Sequence, residues 1–372
     1  MSMLAWCYKH LARPVLFAFD PEFVHNVTLK GLEWVSASAP LSGMMRSLCK
    51  SPELPVTLFG QKFPNPIGLA AGMDKAGIAL RAWESMGLGF SEVGAVTWYA
   101  QPGNPPPRVF RAIADEGIVN RMGFNNEGAK KLSEVLIRCK EKGRWPGHPV
   151  GVNLGKSKKT SLEDAPQDYA SSFRELKELA DFFVVNVSSP NTPNLRKLQD
   201  KDALKAIFSQ LQEVNRKGRG DAKPILLKVA PDLTFEALED IVEMIPRLEI
   251  AGIVATNTTI TRPKSDQPKL MRVYAEAGGL SGKPLRERST EVIKFLYQRT
   301  GGKIPIIGSG GVFSAEDAWE KITHGASLLQ IFTSLVYEGP LVVRKINLGL
   351  QELLKVNGLA CIQDAVGSAV KK

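Results

Sequence analysis

A closed parallel (β/α)8 TIM barrel carrying a small N-terminal two-helix extension is the fold the sequence predicts. Three observations predict it: eight short apolar, β-branched stretches recur along the chain, helical patterns lie between them, and nearly every apolar stretch ends in small or polar residues. The intervening patterns place apolar residues at three-to-four spacing, as at Leu204, Ile207, Leu211 and Val214. With 372 residues, 44% of them hydrophobic, the chain can bury a large core, and one principal domain at 54–372 is expected after an N-terminal segment at 1–53.

The N-terminal segment reads as two short amphipathic helices, Leu4 to Phe19 and Phe23 to Ala37, broken at Asp20-Pro21. They would form either a helical hairpin packed on the main domain or a pair lying in a membrane interface. Five basic residues against four acidic ones up to Glu53 leave a net charge of +1. Membrane binding would therefore have to come from apolar burial.

Val56 to Pro66 looks like a hairpin around Gly60. The barrel strands are expected at Ile67–Ala71, Phe90–Thr97, Val150–Leu154, Phe182–Val187, Ile225–Val229, Gly252–Thr256, Ile304–Gly308 and Ser327–Phe332. Two connections are long, Gln101 to Phe124 after the second strand and Thr259 to Gly282 after the sixth, and such excursions at this end of a barrel read as lids or substrate loops.

Chemistry in a barrel collects where strands end. After the fourth strand the run Phe182–Val187 gives way to Ser188, Ser189, Pro190 and Asn191. Pro190 lacks an N–H and biases Ser189 toward extended geometry, which holds that hydroxyl beside the amides of Asn186 and Asn191. An ordinary turn leaving a sheet has the same composition; the recurrence of amide- and hydroxyl-rich ends at Ala71–Lys75, Asn153 and Thr256–Thr258 argues for a site. Lys228 stands in the otherwise apolar strand ILLKVAP, and a barrel-lining ammonium needs an anionic or polar partner unless it reaches solvent. It suits the edge of a flavin where negative charge develops on reduction. GSGGV at 308–312 fails the dinucleotide pattern G-x-G-x-x-G, because Phe313 occupies the last glycine position. Lying after strand seven, with Thr333 after strand eight, it suits a phosphate. The combined lining favours a flat, anionic, amide-bearing ligand and a flavin over hydrolysis or metal chemistry.

The remaining composition narrows the classes. Cys7, Cys49, Cys139 and Cys361 are far apart, with no local spacing for a metal or iron-sulfur site, so no metal is expected. The net charge of +10 is not gathered into a stripe with interleaved aromatics, so no nucleic-acid partner is expected. Neither a cleavable signal nor an apolar run long enough to span a bilayer is visible, and the N-x-S/T matches at Asn26, Asn186 and Asn257 are read as chance.

AAGMDK ending at Lys75, NRMGFNN at 120–126, NVSSPNTPNLR at 186–196, KVAPDL at 228–233, NTT at 257–259, GGLSGKPL at 278–285 and GSGGV together resemble dihydroorotate dehydrogenase, in its quinone-dependent class 2 branch. The likeness runs from about Phe17 to Gly339. It implies FMN-dependent oxidation of dihydroorotate to orotate in pyrimidine biosynthesis. Ser189 is implied as the base removing the C5 proton while the C6 hydride passes to flavin N5, with Thr192 and Phe124 along the proton route. The substrate clamp implied by motif position comprises Lys75, Asn120, Arg121, Met122, Gly123 and Phe124, together with Asn186, Asn191, Asn257 and Thr258. For FMN, one per subunit, the implied positions are Ala71, Gly72, Met73, Asp74 and Lys75; Ala95, Asn153, Asn186 and Lys228; and Thr256, Gly282, Gly311, Phe332 and Thr333. Ala95 and Phe332 each lack a hydroxyl common in relatives.

In class 2 enzymes the N-terminal helices form a tunnel for a lipid quinone, here ubiquinone or menaquinone, and His25 and Arg111 match positions lining it. The resemblance thus implies a bacterial monomer, peripheral to the cytoplasmic side of the cell membrane. Three alternatives stand beside it. They are a class 1-type enzyme using fumarate or NAD, disfavoured by Ser189 in place of cysteine; a flavin barrel acting on tRNA; and a non-catalytic flavin- or phosphate-binding barrel docked on the membrane.

Overall fold

The computed structural model describes residues 3–192, 195–217 and 220–370. Eight parallel strands close into a barrel: β1 (Ile67–Leu69), β2 (Phe90–Val96), β3 (Val150–Leu154), β4 (Phe182–Asn186), β5 (Ile225–Val229), β6 (Gly252–Ala255), β7 (Ile306–Ser309) and β8 (Leu328–Ile331), paired in sequence order with β8 returning to β1. All eight were anticipated, two of them residue for residue. The seventh begins two residues later than expected because Pro305 has no N–H for the ladder; its carbonyl accepts from Ile253 N at 3.0 Å. Side chains alternate across each strand. Phe183 of β4 points outward onto Phe173 of the helix Ala165–Leu176, with ring centroids 4.7 Å apart, while its neighbour Phe182 closes the barrel floor edge-on against Phe90 at 6.2 Å. Glycine is required beneath those floor rings: a Cβ on Gly68 would lie 2.3 Å from Phe90, and one on Gly151 2.2 Å from Phe182.

The hairpin stands where expected, Val56–Leu58 against Gln61–Phe63. The two long connections are not structureless lids. They contribute Val109–Ala112, Gly117–Asn120 and Gly279–Gly282 to one antiparallel sheet in which Leu280 faces Val119 and Val119 faces Phe110. Strands of only four residues, the third of them from a segment remote in sequence, leave no periodicity to read.

At the N-terminus the abutting helical segments Met3–Cys7, Tyr8–Ala12 and Arg13–Phe17 are followed by Pro21–Ala37, whose start is fixed by Asp20 Oδ1 accepting from Phe23 N at 2.9 Å. A further helix, Ala39–Leu48, was not expected; Ser38 ends one helix and caps the next. This layer is tied to the barrel at its polar points: Tyr8 Oη donates to Val336 O at 2.7 Å, Arg13 Nη1 to Tyr337 O at 3.0 Å, and Ala82 N to Ser36 Oγ at 2.9 Å. Its outer face is apolar, with Met3 79% and Trp34 74% exposed, and Trp6, Phe19, Phe23 and Met44 exposed around them. Among the described residues no helix is long and apolar enough to cross a membrane.

Candidate active site

Just above the aromatic floor, four strands deliver polar side chains to the barrel axis. Lys228 of β5 is buried, and its Nζ lies 4.0 Å from Glu92 Oε1 of β2. Asn153 Nδ2 of β3 donates to the same oxygen at 2.6 Å, and Gln330 Nε2 of β8 donates to Oε2. Asn186 at the end of β4 donates to Asn153 Oδ1 at 3.0 Å and thereby links this layer to the serine turn.

The serine turn is braced from several sides. Asn186 Oδ1 accepts from Ser188 N at 3.3 Å, Ser188 Oγ at 3.1 Å and Asn257 Nδ2 at 3.2 Å, while Tyr169 Oη donates to Asn186 O at 3.0 Å. Arg196 Nε donates to Ser188 O at 3.3 Å, and its Nη2 pairs with Asp232 Oδ2 at 2.9 Å; Asp232 in turn accepts from Thr259 Oγ1, joining the loops after β4, β5 and β6. Ser189 is 6% exposed, and its Oγ accepts from Asn191 N at 3.3 Å. Asn191 Nδ2 donates to Asn120 Oδ1 at 3.2 Å, and Asn257 Oδ1 accepts from Thr258 N at 2.8 Å. Thr192 Oγ1 is buried with no hydrogen-bond partner among the described residues. Pro193 and Asn194 of this motif lie outside the described residues.

After β1, Lys75 Nζ donates to Asn125 Oδ1. Burial, then the Arg108 guanidinium, press its ammonium down to about 7, against the opposing pull of Glu22. Asp74 does not face the cavity. Its carboxylate accepts from Ile78 N at 3.0 Å, Ala79 N at 2.9 Å and Trp83 Nε1 at 3.0 Å, so it anchors the loop instead of meeting a ligand. Arg121 also points away, pairing with Glu276 at 2.5 Å and lying 4.7 Å from the Phe110 ring centroid.

These parts open onto one cavity of ≈ 480 Å³. Ser189, Lys228 and Asn257 line it together with Gly311, Thr333 and Lys75; Asn120, Met122, Gly123, Phe124, Asn186, Asn191 and Thr258 do so as well. On the barrel side Ala71, Gly72, Met73, Ala95, Thr256, Gly282 and Phe332 contribute, whereas Asn153 sits behind the lining and reaches it through Asn186. At the far end Thr333 Oγ1 meets Ser281 Oγ at 2.9 Å; Gly311 takes φ +71°, and a Cβ there would lie 2.6 Å from Arg286 Cα, so only glycine fits. The N-terminal layer walls the opposite end with Phe17, Val24, His25 and Leu29. Burial, reinforced by the Lys75 charge, pushes His25 down to about 4. Arg111 donates to Phe19 O at 2.8 Å and lies 4.6 Å from the Phe17 ring centroid.

The sequence profile of the family described as Dihydroorotate dehydrogenase matches residues 53–354. The chain is 49% identical over 379 residues to Dihydroorotate dehydrogenase (quinone) of Trichormus variabilis, covering 98% of this chain and 99% of that one. The chain belongs to the dihydroorotate dehydrogenase family, in its quinone-dependent branch. The enzyme of the same description from Gloeobacter violaceus is 51% identical over 363 residues, covering 96% and 98% of the two chains. The crystal structure of DHODH from Eimeria tenella in complex with ferulenol superposes with a TM-score of 0.85 at 34% identity, covering 95% and 96%.

Two polar residues of the barrel interior escaped sequence reasoning. Glu92 and Gln330 sit in FSEVGAV and LLQI, strands that read as uniformly apolar at a glance. The signal was present: a carboxylate within a strand buried on both faces requires a cationic or amide partner inside the barrel, and Lys228 was the cation in want of one.

Proposed function

We propose that Ser189 is the general base of the reaction, that Lys75 with the surrounding amides binds the substrate, and that Lys228, Gly311 and Thr333 hold one FMN per chain. The reaction itself is quinone-dependent oxidation of dihydroorotate to orotate in pyrimidine biosynthesis. The observation that carries the assignment is that the Ser189 hydroxyl and the Lys228 ammonium line a single cavity whose other end is walled by the N-terminal helices.

The lining suits the cofactor. Gln330 is 2% exposed, lines the cavity, and its Oε1 has no hydrogen-bond partner among the described residues, which leaves a buried acceptor for a ligand N–H. FMN, when bound, supplies the hydride acceptor. Lys228 carries the positive charge suited to its ring edge, and the narrow glycine backbone at 310–311 with Thr333 suits its phosphate.

Lys75 meets the substrate carboxylate, and Asn120, Asn191 and Asn257 match alternating ring donors and acceptors. Ser189 Oγ takes the C5 proton. The Asn191 N–H at 3.3 Å steadies the oxygen that loses its own, and the Thr192 hydroxyl, which has no hydrogen-bond partner among the described residues, offers that proton a way out. His25 and Arg111 line the quinone's approach.

Enzymes of the quinone-dependent branch are membrane-associated. The exposed apolar face of residues 3–53 is the surface that would lie in the bilayer interface, with the barrel on the cytoplasmic side of the cell membrane and ubiquinone or menaquinone entering between the helices. The purified protein should be yellow, bleach anaerobically on addition of dihydroorotate and regain its colour with quinone; a colourless protein or a spectrum indifferent to dihydroorotate would refute the reading.

A further inference from the structure

Glu92 is 0% exposed in the barrel interior, and nothing in the reaction as described uses it. Three strands aim side chains at its carboxylate: Asn153 and Gln330 donate an amide N–H to one oxygen each, and Lys228 Nζ stands 4.0 Å away. That last separation lies beyond hydrogen-bond range. Lys228 also makes no hydrogen bond to any described residue, while it lines the cavity, so its N–H donors face the ligand space and only its charge is answered from below. The two amides keep the carboxylate from swinging up to take those donors. A buried ion pair is a poor device for stability, because the cost of desolvating two charges can exceed their mutual attraction. It is a good device for moderating a positive charge.

We propose that Glu92 is a positioning residue for Lys228 which, by attenuating the positive charge presented to the flavin edge, lowers the reduction potential of the bound flavin. The chemistry favours such a restraint. An unopposed ammonium stabilises the negative charge of reduced flavin and assists oxidation of dihydroorotate, but it also holds back the electrons that must continue to the quinone. A carboxylate behind the ammonium balances the two halves of the cycle. The inference rests on the assignment of Lys228 to the flavin edge.

The test is the midpoint potential of the holoenzyme, measured by anaerobic equilibration with reference dyes, in the parent, Glu92→Gln, and Glu92→Gln/Lys228→Met. The double variant removes both charges and so avoids leaving one buried alone. Glu92→Gln should shift the two-electron equilibrium at least ~10-fold toward reduced flavin, about 30 mV upward, and the double variant should fall below it. Should Glu92→Gln fail to fold, Glu92→Asp keeps the charge but withdraws it from Lys228, and a smaller rise is expected. A potential unchanged or lowered in whichever Glu92 variant folds, with the double variant still below it, overturns the role of Glu92 alone. A double variant with the same potential as Glu92→Gln overturns the assignment of Lys228 to the flavin edge, and the inference with it.

Discussion

Substrate affinity should depend on a charge contributed by the N-terminal layer. Glu22 opens the helix Pro21–Ala37, and its carboxylate receives Arg108 Nε at 2.9 and 3.1 Å and Nη2 at 2.7 Å, a bidentate pair joining that helix to the loop after β2. Arg108 depresses the Lys75 ammonium and Glu22 offsets it, leaving Lys75 at about 7. At pH 7 the free enzyme therefore carries this cation on roughly half its molecules. Glu22→Gln removes the offset while the guanidinium remains. Losing one partly screened neighbouring charge moves a pKa by on the order of one unit, so the charged fraction at pH 7 would fall to about one-tenth and orotate would bind about fivefold more weakly.

The sign is specific. Lys75 is protonated below its pKa, so parent and variant should bind orotate equally well at acidic pH, both should weaken as pH rises, and the variant should begin to weaken about one unit sooner. Titrating the bound flavin's spectrum with orotate between pH 5.5 and 8.5 measures this directly. Dissociation constants that are flat across that range in the parent, or a variant that differs by the same factor at every pH, would refute the electrostatic argument and leave Glu22 as a fastener only.

Two further outcomes follow from the same geometry. Thr192→Val deletes the buried hydroxyl that has no protein partner among the described residues, and it should slow flavin reduction by ~10-fold or more in anaerobic stopped flow without changing orotate affinity; an unaltered rate would remove Thr192 from the proton route. Trp34→Glu places a charge on the outer apolar face, at a side chain 74% exposed, and should abolish co-sedimentation with lipid vesicles while turnover with a short-chain soluble quinone persists; retained vesicle binding would assign the membrane contact to another surface.

The barrel was legible because a strand buried on both faces is a run of apolar, β-branched residues, and eight such runs cannot easily be arranged otherwise. The cavity's two anchors were legible for the opposite reason: Lys228 contradicts its strand, and Ser189-Pro190 ends another abruptly. What escaped depended on partners remote in sequence. The sheet over the barrel mouth pairs Gly279 with Asn120, so neither strand announces itself alone. Arg121 reads as a ligand contact until Glu276 turns it outward, and Asp74 does so until Trp83 and two backbone amides are found to occupy it. The helix Ala39–Leu48 lacked a visible boundary because one serine both ends its predecessor and caps it.

Whether the hydroxyl of Ser189 takes the substrate proton is read from the rate of anaerobic flavin reduction by dihydroorotate in Ser189→Ala. The variant should retain its yellow colour and bind orotate, yet be reduced ~10² to 10⁴-fold more slowly than the parent. Reduction at the parent's rate would show that another group removes the proton.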